Sequence, residues 1–231
     1  MRIMTHSDDQ NQTAKLSWRD QLPISAHFDD PYFSLHNGLA ETRHVFLAGN
    51  DLPGRFCPGF RVAELGFGTG LNMLASLQLW RAAGIKGRLH FTSFEAYPMQ
   101  AADMNRALAA FPEIHDLAQP FLQQWDSGAR RIETDDLLAE IIIGDARSTV
   151  PEWGESADAW YLDGFSPAKN PELWDEALLQ SVADHTAPNG TFATYTAAGF
   201  VRRALAAAGF AVQRVKGFGH KRHMTVGQLA K

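Results

Sequence analysis

Cysteine is nearly absent from this chain of 231 residues, which contains only Cys57. A single thiol cannot form an internal disulfide, so we expect a reducing, cytoplasmic setting. The thiol lies beside Pro58 and Gly59 with no base close to it in the sequence, and we interpret it as structural. The nine histidines are scattered and no H-E-x-x-H motif occurs. We therefore predict no metal site, because one cysteine and dispersed histidines do not build a zinc centre.

Long apolar runs are also missing. No stretch approaches the roughly 18 consecutive apolar residues that a membrane helix needs. Residues 1–15 are polar and lack the apolar segment of a signal peptide. Hydrophobic residues make up 45% of the chain, which is ordinary for a globular protein with a sizeable core. We therefore expect no membrane association and, from the length, one domain with appendages.

The third glycine of a dinucleotide-binding fingerprint is missing as well. Residues 60–72 read F-R-V-A-E-L-G-F-G-T-G-L-N, which predicts a strand, a glycine turn and a helix. The three alternate glycines are Gly66, Gly68 and Gly70. The pattern G-x-G-x-x-G would place its last glycine at Leu71, and here an acid, Glu64, precedes the first glycine instead. This order suits a ligand with a cationic amino-acid end and resembles motif I of the S-adenosylmethionine-dependent methyltransferases. A tight turn without a ligand is the alternative.

Acidic residues follow three further predicted strands. The strand at 89–94 ends at Glu95, the strand at 140–143 runs into Asp145 and Ala146, and the strand at 157–162 delivers Asp163. In a nucleoside-binding α/β sheet, Glu95 is placed to accept from ribose hydroxyls. Asp145 can accept from an adenine amino group, and the small Ala146 leaves room for the ring. Each acid alone could be a helix N-cap, but strand-end acids pool at the switch point of such a sheet.

The remaining patterns predict strands at 191–196, 210–215 and 224–229. Helices are predicted near 71–79, 99–110, 114–125, 173–182 and 200–208, with Pro112 and Pro120 as breaks and a turn at 188–190. The predicted fold is α/β, with a seven-stranded, mostly parallel, Rossmann-like sheet whose last strand is antiparallel. The predicted organisation is a flexible lead over 1–26, an arm over 27–59 that packs near the active site, and the main domain over 60–231.

Charge is unevenly distributed along the chain. The net charge is −5, yet no acid follows Asp184, while seven basic residues do. Such asymmetry is typical of a polyanion-binding face, although a solvated helix and strand edge would explain it equally well. The predicted RNA-binding residues are Lys169, Arg202, Arg203, Lys216, Lys221 and Arg222. For Lys169, a phosphate contact and a plain loop charge both remain open.

Several longer runs carry a family resemblance. They are F-D-D-P-Y-F-S (28–34), N-G-L-A-E-T-R-H-V-F-L (37–47), G-F-G-T-G-L-N (66–72), L-D-G-F-S-P-A-K-N-P-E-L-W (162–174), T-A-A-G-F-V-R-R-A-L (196–205) and K-G-F-G-H-K-R-H-M (216–224). From about residue 27 to the end, the chain resembles the methyltransferase domain of the MnmC/MnmD-type tRNA-modifying enzymes. The resemblance implies a class I S-adenosylmethionine-dependent methyltransferase fold.

The resemblance also implies an activity. The reaction is N-methylation of 5-aminomethyl-(2-thio)uridine at tRNA wobble position 34, which gives 5-methylaminomethyl-(2-thio)uridine. Larger family members carry a flavin-dependent oxidase domain that prepares the amine. This chain stops at Lys231, so we expect that activity to be absent here and a separate flavin-dependent or other enzyme to supply the aminomethyl group.

Roles for individual residues follow from this chemistry. A primary amine must be neutral to attack a methyl group, so the site needs a proton acceptor, for which we choose Asp163. That carboxylate can instead act mainly by positioning the amine. Phe165 can line the pocket of the amine or stack on the flipped-out base. Tyr32 is a candidate for a lid that covers the cofactor. The predicted cofactor-binding residues are Tyr32, Glu64, Gly66, Gly68, Gly70, Asn72, Glu95, Asp145, Ala146 and Asp163.

Three other functions compete with this interpretation. A nicotinamide-dependent dehydrogenase is disfavoured by Leu71 and by the acid before Gly66. A methyltransferase of the same fold that acts on a small-molecule amine is disfavoured by the basic C-terminal region, but the fold alone does not exclude it. A non-catalytic RNA-binding module is disfavoured because the expected acids and glycines are all in place.

Overall fold

A computed structural model describes residues 12–34 and 37–230. The described part begins with a small antiparallel sheet of three strands, β1 (Leu16–Arg19), β2 (Leu22–Ser25) and β3 (Asp30–Pro31). We predicted a flexible lead over 1–26. Its residues 1–11 lie outside the described residues, but from Leu16 onward the segment is a hairpin and not an unstructured lead. Trp18 of this hairpin lies under the guanidinium of Arg106, 4.0 Å from ring centroid to Cζ.

The main sheet of the described chain has eight strands. They are β4 (Arg61–Leu65), β5 (Leu89–Glu95), β6 (Arg131–Glu133), β7 (Leu137–Ile143), β8 (Ala157–Leu162), β9 (Thr186–Thr194), β10 (Phe210–Lys216) and β11 (His223–Leu229). Their order is β10-β11-β9-β8-β4-β5-β7-β6. Strands β9, β8, β4, β5 and β7 pair in parallel, and the last strand, β11, is antiparallel as predicted. It lies between β9 and β10. The predicted count of seven was wrong by one strand, because the short β6 pairs antiparallel with β7 at the edge.

Helices cover both faces of this sheet. In chain order they are α1 (Gly38–Thr42), α2 (Leu71–Ala82), α3 (Ala101–Leu108), α4 (His115–Asp126), α5 (Ala146–Thr149), α6 (Glu176–Asp184) and α7 (Gly199–Ala207). Helix α1 continues into a π-helical turn, Arg43–Leu47, and a 3-10 turn, Ala48–Asn50. The apolar residues of α2, α3, α4 and the 38–50 segment share one core cluster, and those of α5, α6 and α7 share the other.

Central strand β8 shows how the two cores are separated. Successive side chains of a strand point to opposite faces. Tyr161 accordingly packs in the core of α2 and the 38–50 segment, while Trp160 packs in the core of α6 and α7. Both residues are fully buried. A sheet covered on both faces places its ligand crevice at the strand ends, because its faces are already occupied by helices.

Two predicted chain breaks are absent from the structure. Pro120 lies inside α4, where the burial of Phe121, Leu122 and Trp125 on the core offsets the missing N–H. The turn predicted at 188–190 is instead a bulge within β9, which begins at Thr186. Asn189 there has a φ of +63°, a value that asparagine tolerates better than most residues.

The 38–55 segment closes one core by packing on the C-terminal strands. A Cβ on Gly49 would lie 2.8 Å from Cβ of Ala193. The Arg55 guanidinium donates to Thr191 Oγ1 at 2.5 Å and to the Asp158 carbonyl at 2.9 Å. These contacts make the segment a part of the main domain rather than a loose extension. Among the described helices, none is long and apolar enough to cross a membrane.

Candidate active site

A cavity of about 560 Å³ opens at the carboxyl ends of β4, β5, β7 and β8. Strand β4 lies between β5 and β8, so the chain order reverses on either side of it and a crevice forms at that point. Residues from all four strand ends and from the arm line the cavity. They include Phe28, Asp30, Tyr32, Glu41, Thr42, Gly66, Gly68, Asn72, Glu95, Asp145, Ala146, Arg147, Asp163, Phe165, Tyr195 and Lys221.

The glycine turn is packed too tightly for side chains. Gly66 has a φ of +87°, and a Cβ added there would lie 2.5 Å from the carbonyl oxygen of Asp163. Gly68 has a φ of +54°, and a Cβ there would lie 3.1 Å from the Tyr32 ring. Gly70 does not line the cavity; it abuts Phe121 at the start of α2. The turn therefore requires glycine for backbone conformation and for close approach.

Asn72 connects two acids of the predicted site. Its Nδ2 donates to Glu64 Oε1 at 2.8 Å and to Asp163 Oδ2 at 2.7 Å, while its Oδ1 accepts from Thr42 Oγ1 at 2.8 Å. Ser93 Oγ donates to the other oxygen of Glu64 at 2.7 Å. Glu64 is 1% exposed and is not part of the cavity wall. Its connection to the cavity therefore runs through Asn72.

Burial dominates the electrostatics of these acids. It raises the pKa of Asp163 to about 7, against the opposing effects of the Asn72 hydrogen bond and the positive charge of Lys221. The negative charge of Glu41 raises it further. Burial likewise raises the pKa of Glu64 well above its usual range and raises that of Glu95. The cavity therefore contains a carboxyl group that can exchange a proton near neutral pH.

Glu95 and Asp145 are both engaged with backbone amides. Glu95 accepts from the N–H of Gly68 at 3.0 Å and from the N–H of Tyr97 at 2.7 Å. Asp145 accepts from the N–H of Arg147 at 2.9 Å as the N-cap of α5. The Arg147 guanidinium also binds this carboxylate and lowers its pKa. Asp145 is thus the N-cap of α5 and also a residue of the cavity lining.

The arm is fastened to the loop that follows β8. The Phe165 ring stacks on Phe28, with centroids 4.8 Å apart, and meets Tyr32 edge-on at 5.0 Å. The Ser166 N–H donates to Asp30 Oδ2 at 2.8 Å. Lys169 Nζ donates to the backbone carbonyl of Asp29. It also donates to Oδ2 of the same residue, at 3.3 Å. The charge of Lys169 is therefore directed at the arm.

Tyr195 and Glu41 are among the cavity residues that were not predicted from the sequence. Tyr195 follows β9 directly, and its hydroxyl donates to the Gly164 carbonyl at 2.8 Å. Glu41 lies on α1 with its side chain 12% exposed, 2.7 Å from Lys221 Nζ. The strand-end rule that identified Asp163 applies equally to Tyr195. No local signal marks Glu41, because its approach to the cavity depends on tertiary packing alone.

The remaining predicted RNA-binding residues lie around α7 and the end of β10. Arg202 and Arg203 belong to α7, Lys216 ends β10, and Arg222 precedes β11. Burial lowers the pKa of His223, and the charges of Arg214, Arg222 and Arg202 lower it further. Arg202 and Arg222 therefore both lie near enough to His223 to affect its pKa, although they are far apart in sequence. Within 12–34 and 37–230, no three His, Cys, Asp or Glu side chains are grouped to hold a metal.

This fold and site define a class I S-adenosylmethionine-dependent methyltransferase. A solved structure of TrmN from Thermus thermophilus has the same fold, with a TM-score of 0.53 and 19% identity over 93% of this chain and 55% of that one. A family model described as S-adenosyl-L-methionine-dependent methyltransferase matches residues 112–230. The chain belongs to this family, and the predicted fold class and cofactor are confirmed.

Relatives with named activities are similar over nearly the whole chain. The tRNA 5-methylaminomethyl-2-thiouridine biosynthesis bifunctional protein MnmC of Aeromonas hydrophila is 46% identical over 94% of this chain, and that of Stutzerimonas stutzeri is 46% identical over 96%. The chain spans 36% of the length of each. The crystal structure of MNMC2 from Aquifex aeolicus is 26% identical over 95% of this chain and 72% of that chain, with a TM-score of 0.75. The predicted family resemblance is confirmed.

The residues present fit S-adenosylmethionine. The glycine turn leaves a cradle that a Cβ at Gly68 would fill against Tyr32. Glu95 lies at the end of β5, beside that turn, and Asp145 and Ala146 lie beyond the end of the neighbouring strand, β7. A volume of about 560 Å³ falls within the range of cofactor pockets.

Proposed function

We propose that this chain methylates the aminomethyl nitrogen of 5-aminomethyl-(2-thio)uridine at tRNA wobble position 34, which yields 5-methylaminomethyl-(2-thio)uridine. One observation carries the proposal: Asp163, whose pKa burial raises to about 7, lines the cavity of a methyltransferase beside the glycine turn. The names of the relatives that are 46% identical to this chain support the choice of nucleoside.

Asp163 is the proton acceptor of the proposed mechanism. An alkyl amine arrives mainly as ammonium near neutral pH, because its pKa resembles that of lysine, about 10.4. A carboxylate with a pKa near 7 is a much stronger base than an ordinary aspartate. Asn72 holds Oδ2 at 2.7 Å, so Oδ1 is the oxygen that accepts the proton from the amine. The neutral nitrogen can then use its lone pair to form the new bond.

Other cavity residues would hold the cofactor. Glu95 is assigned to the ribose hydroxyls, Asp145 and Ala146 to the adenine, and Tyr32 to the lid over the glycine turn. S-adenosylmethionine, when bound, supplies an electrophilic methyl group. Phe165 is assigned to the wall beside the amine, since one face of its ring is already stacked on Phe28. Exclusion of water by these aromatics strengthens the electrostatic effect of Asp163.

The proposed partners are a tRNA and an enzyme that prepares its amine. The phosphate-binding face consists of Arg202, Arg203, Lys216 and Arg222, at the edge of the sheet that carries β10. A separate flavin-dependent or other enzyme supplies the aminomethyl group. We place the reaction in the cytoplasm, where tRNA and reduced thiols occur together.

Radiolabelled S-adenosylmethionine tests the proposal directly. The protein is incubated with labelled cofactor and bulk tRNA from cells unable to methylate this amine, and the tRNA is then digested to nucleosides. Label is expected in 5-methylaminomethyl-(2-thio)uridine. Tight cofactor binding without label in tRNA would refute the proposal and favour a small-molecule amine as substrate.

A further inference from the structure

Lys221 is held at the cavity by two residues with no assigned role. Its ammonium nitrogen lies 2.7 Å from Glu41 Oε1 and 4.4 Å from the centroid of the Tyr195 ring. A carboxylate beside an aromatic face is the arrangement that proteins use to bind ammonium groups. All three residues line the same cavity as Asp163. The structure thus contains a cation-binding subsite, and a lysine from its own chain occupies it.

Glu41 belongs to the cavity wall, whereas Lys221 is the more exposed partner. The Glu41 side chain is 12% exposed, against 49% for that of Lys221. Helix α1, which carries Glu41, is capped by Asn37 at its start and is tied to Asn72 through Thr42. Lys221 instead lies in the 217–222 loop between β10 and β11. The ammonium is therefore the removable member of the pair.

We propose that Glu41 and the face of Tyr195 form the subsite for the ammonium group of the substrate, and that Lys221 occupies it until the substrate enters. This inference rests on the proposed function. The incoming aminomethyl ammonium exchanges with that of Lys221, so the charge on Glu41 stays compensated throughout. Glu41 selects a cationic substrate, and Asp163, in the same cavity, takes the proton once the amine is bound. Two carboxylates thereby divide recognition and deprotonation between them.

A binding experiment without turnover tests this subsite. Dissociation constants are measured for two tRNAs in the presence of S-adenosylhomocysteine, which does not support methyl transfer. The tRNAs differ only at position 34, where one has 5-aminomethyluridine and the other has unmodified uridine. A charge-assisted contact of this kind predicts about a tenfold preference of the wild-type protein for the aminomethyl tRNA. Glu41→Gln should abolish the preference and leave the affinity for the unmodified tRNA unchanged. A preference that survives Glu41→Gln would overturn the inference.

Lys221→Met serves as the matched variant, because it breaks the same ion pair from the other side. It removes the competing cation, so the preference for the aminomethyl tRNA should persist or increase. Loss of the preference in Lys221→Met would show that the pair is only a structural contact. Unchanged S-adenosylhomocysteine affinity establishes that both variants are folded. If the wild-type protein does not label tRNA, the proposed function is refuted. If it labels tRNA but does not prefer the aminomethyl tRNA over the unmodified one, only this subsite is refuted.

Discussion

Gly66 links the conformation of the glycine turn to the position of the proposed catalytic residue. Its backbone lies against the carbonyl of Asp163, the residue assigned as proton acceptor. The Asp163 N–H in turn donates to the Leu65 carbonyl at 3.1 Å. The turn after β4 and the loop after β8 therefore fix each other, and a change at Gly66 is transmitted to the position of Asp163.

Alanine at Gly66 should destabilise the protein more than alanine at Gly84, which is the matched control. Both glycines have a positive φ, +87° and +66°, but a Cβ at Gly84 meets nothing within 4 Å. Gly84→Ala should cost about 1–2 kcal/mol from backbone strain, and Gly66→Ala at least about twice that, since it adds a steric clash. Urea unfolding measures both. Equal losses would contradict the packing described for the turn.

The raised pKa of Asp163 predicts a pH-dependent rate. Only the carboxylate form accepts a proton, so single-turnover methyl transfer should rise about tenfold per pH unit below pH 7 and level off above it. Asp163→Asn should remove this dependence and lower the rate by about 100-fold or more, with cofactor affinity little changed. An equal loss of cofactor binding would assign Asp163 to binding and not to proton transfer.

The raised pKa of Asp163 also affects the free energy of unfolding. Its effect changes with pH in the direction opposite to that of an ion-paired carboxylate, whose pKa is lowered. The folded-state pKa of Asp163 lies above that of the unfolded chain, so between about pH 4 and pH 7 the folded protein binds more protons. Its contribution to the free energy of unfolding therefore decreases as pH rises through this window. A protein that keeps this carboxylate buried loses stability but gains a base that works at neutral pH.

Single residues were predictable from sequence where a local rule placed them. Glu95 ends a strand, Asp145 and Asp163 come just after one, and parallel strands end at one edge. Glu64 was also predicted to bind the cofactor, but it does not line the cavity, and only the packed structure shows that Asn72 lies between them. Glu41 lay beyond any local rule, since its partner Lys221 comes from the opposite end of the chain.

At the level of elements, the sequence predicted the central strands better than the edges. Strand β8 has the predicted bounds, since all its residues except Asp158 are apolar and are buried on both faces of the sheet. The hairpin of β1 and β2 was missed because β1 has only four residues, two of them exposed. What holds it in place is tertiary: Arg106 of α3 covers Trp18 and donates to the Asp20 carbonyl at 2.9 Å. Such contacts leave no periodic signal.

The contacts between the arm and the loop after β8 lead to a prediction about cofactor release. Asp30→Ala removes both the acceptor for the Ser166 N–H and a charge near Lys169, at 3.8 Å. S-adenosylhomocysteine should then dissociate several-fold faster, because Tyr32, the proposed lid, is carried on the same arm. Stopped-flow displacement measures this rate.

Asp30→Asn is the control for that experiment, since its amide oxygen can still accept from Ser166 while the charge is lost. We expect its dissociation rate to stay close to that of the wild type, because a long, partly exposed ion pair contributes little. If both variants dissociate at the wild-type rate, the arm does not retain the cofactor.

At the level of the whole molecule, Arg202 and Arg203 lie on α7, which packs on the edge strand β10. The double variant Arg202→Gln, Arg203→Gln should bind tRNA more weakly. The magnitude of its slope of log affinity against log salt concentration should be smaller by about 1–2. Arg88 and Arg131 serve as controls, since they flank Glu133 near the opposite edge, which carries β6. Their replacement should leave the slope unchanged. Equal effects from both pairs would indicate that charge acts through the overall field rather than through a defined face.

The support of the 38–55 segment by the C-terminal strands has a consequence for synthesis on the ribosome. This segment is translated well before its partners at Asp158, Thr191, Ala193 and Lys221. Contacts between such distant positions close late in folding. A nascent chain that has just completed β8 already contains its glycine turn and Asp163, yet it lacks the residues that enclose them. The cavity is therefore complete only after β9 and the loop between β10 and β11 have been translated, because Tyr195 and Lys221 belong to its lining.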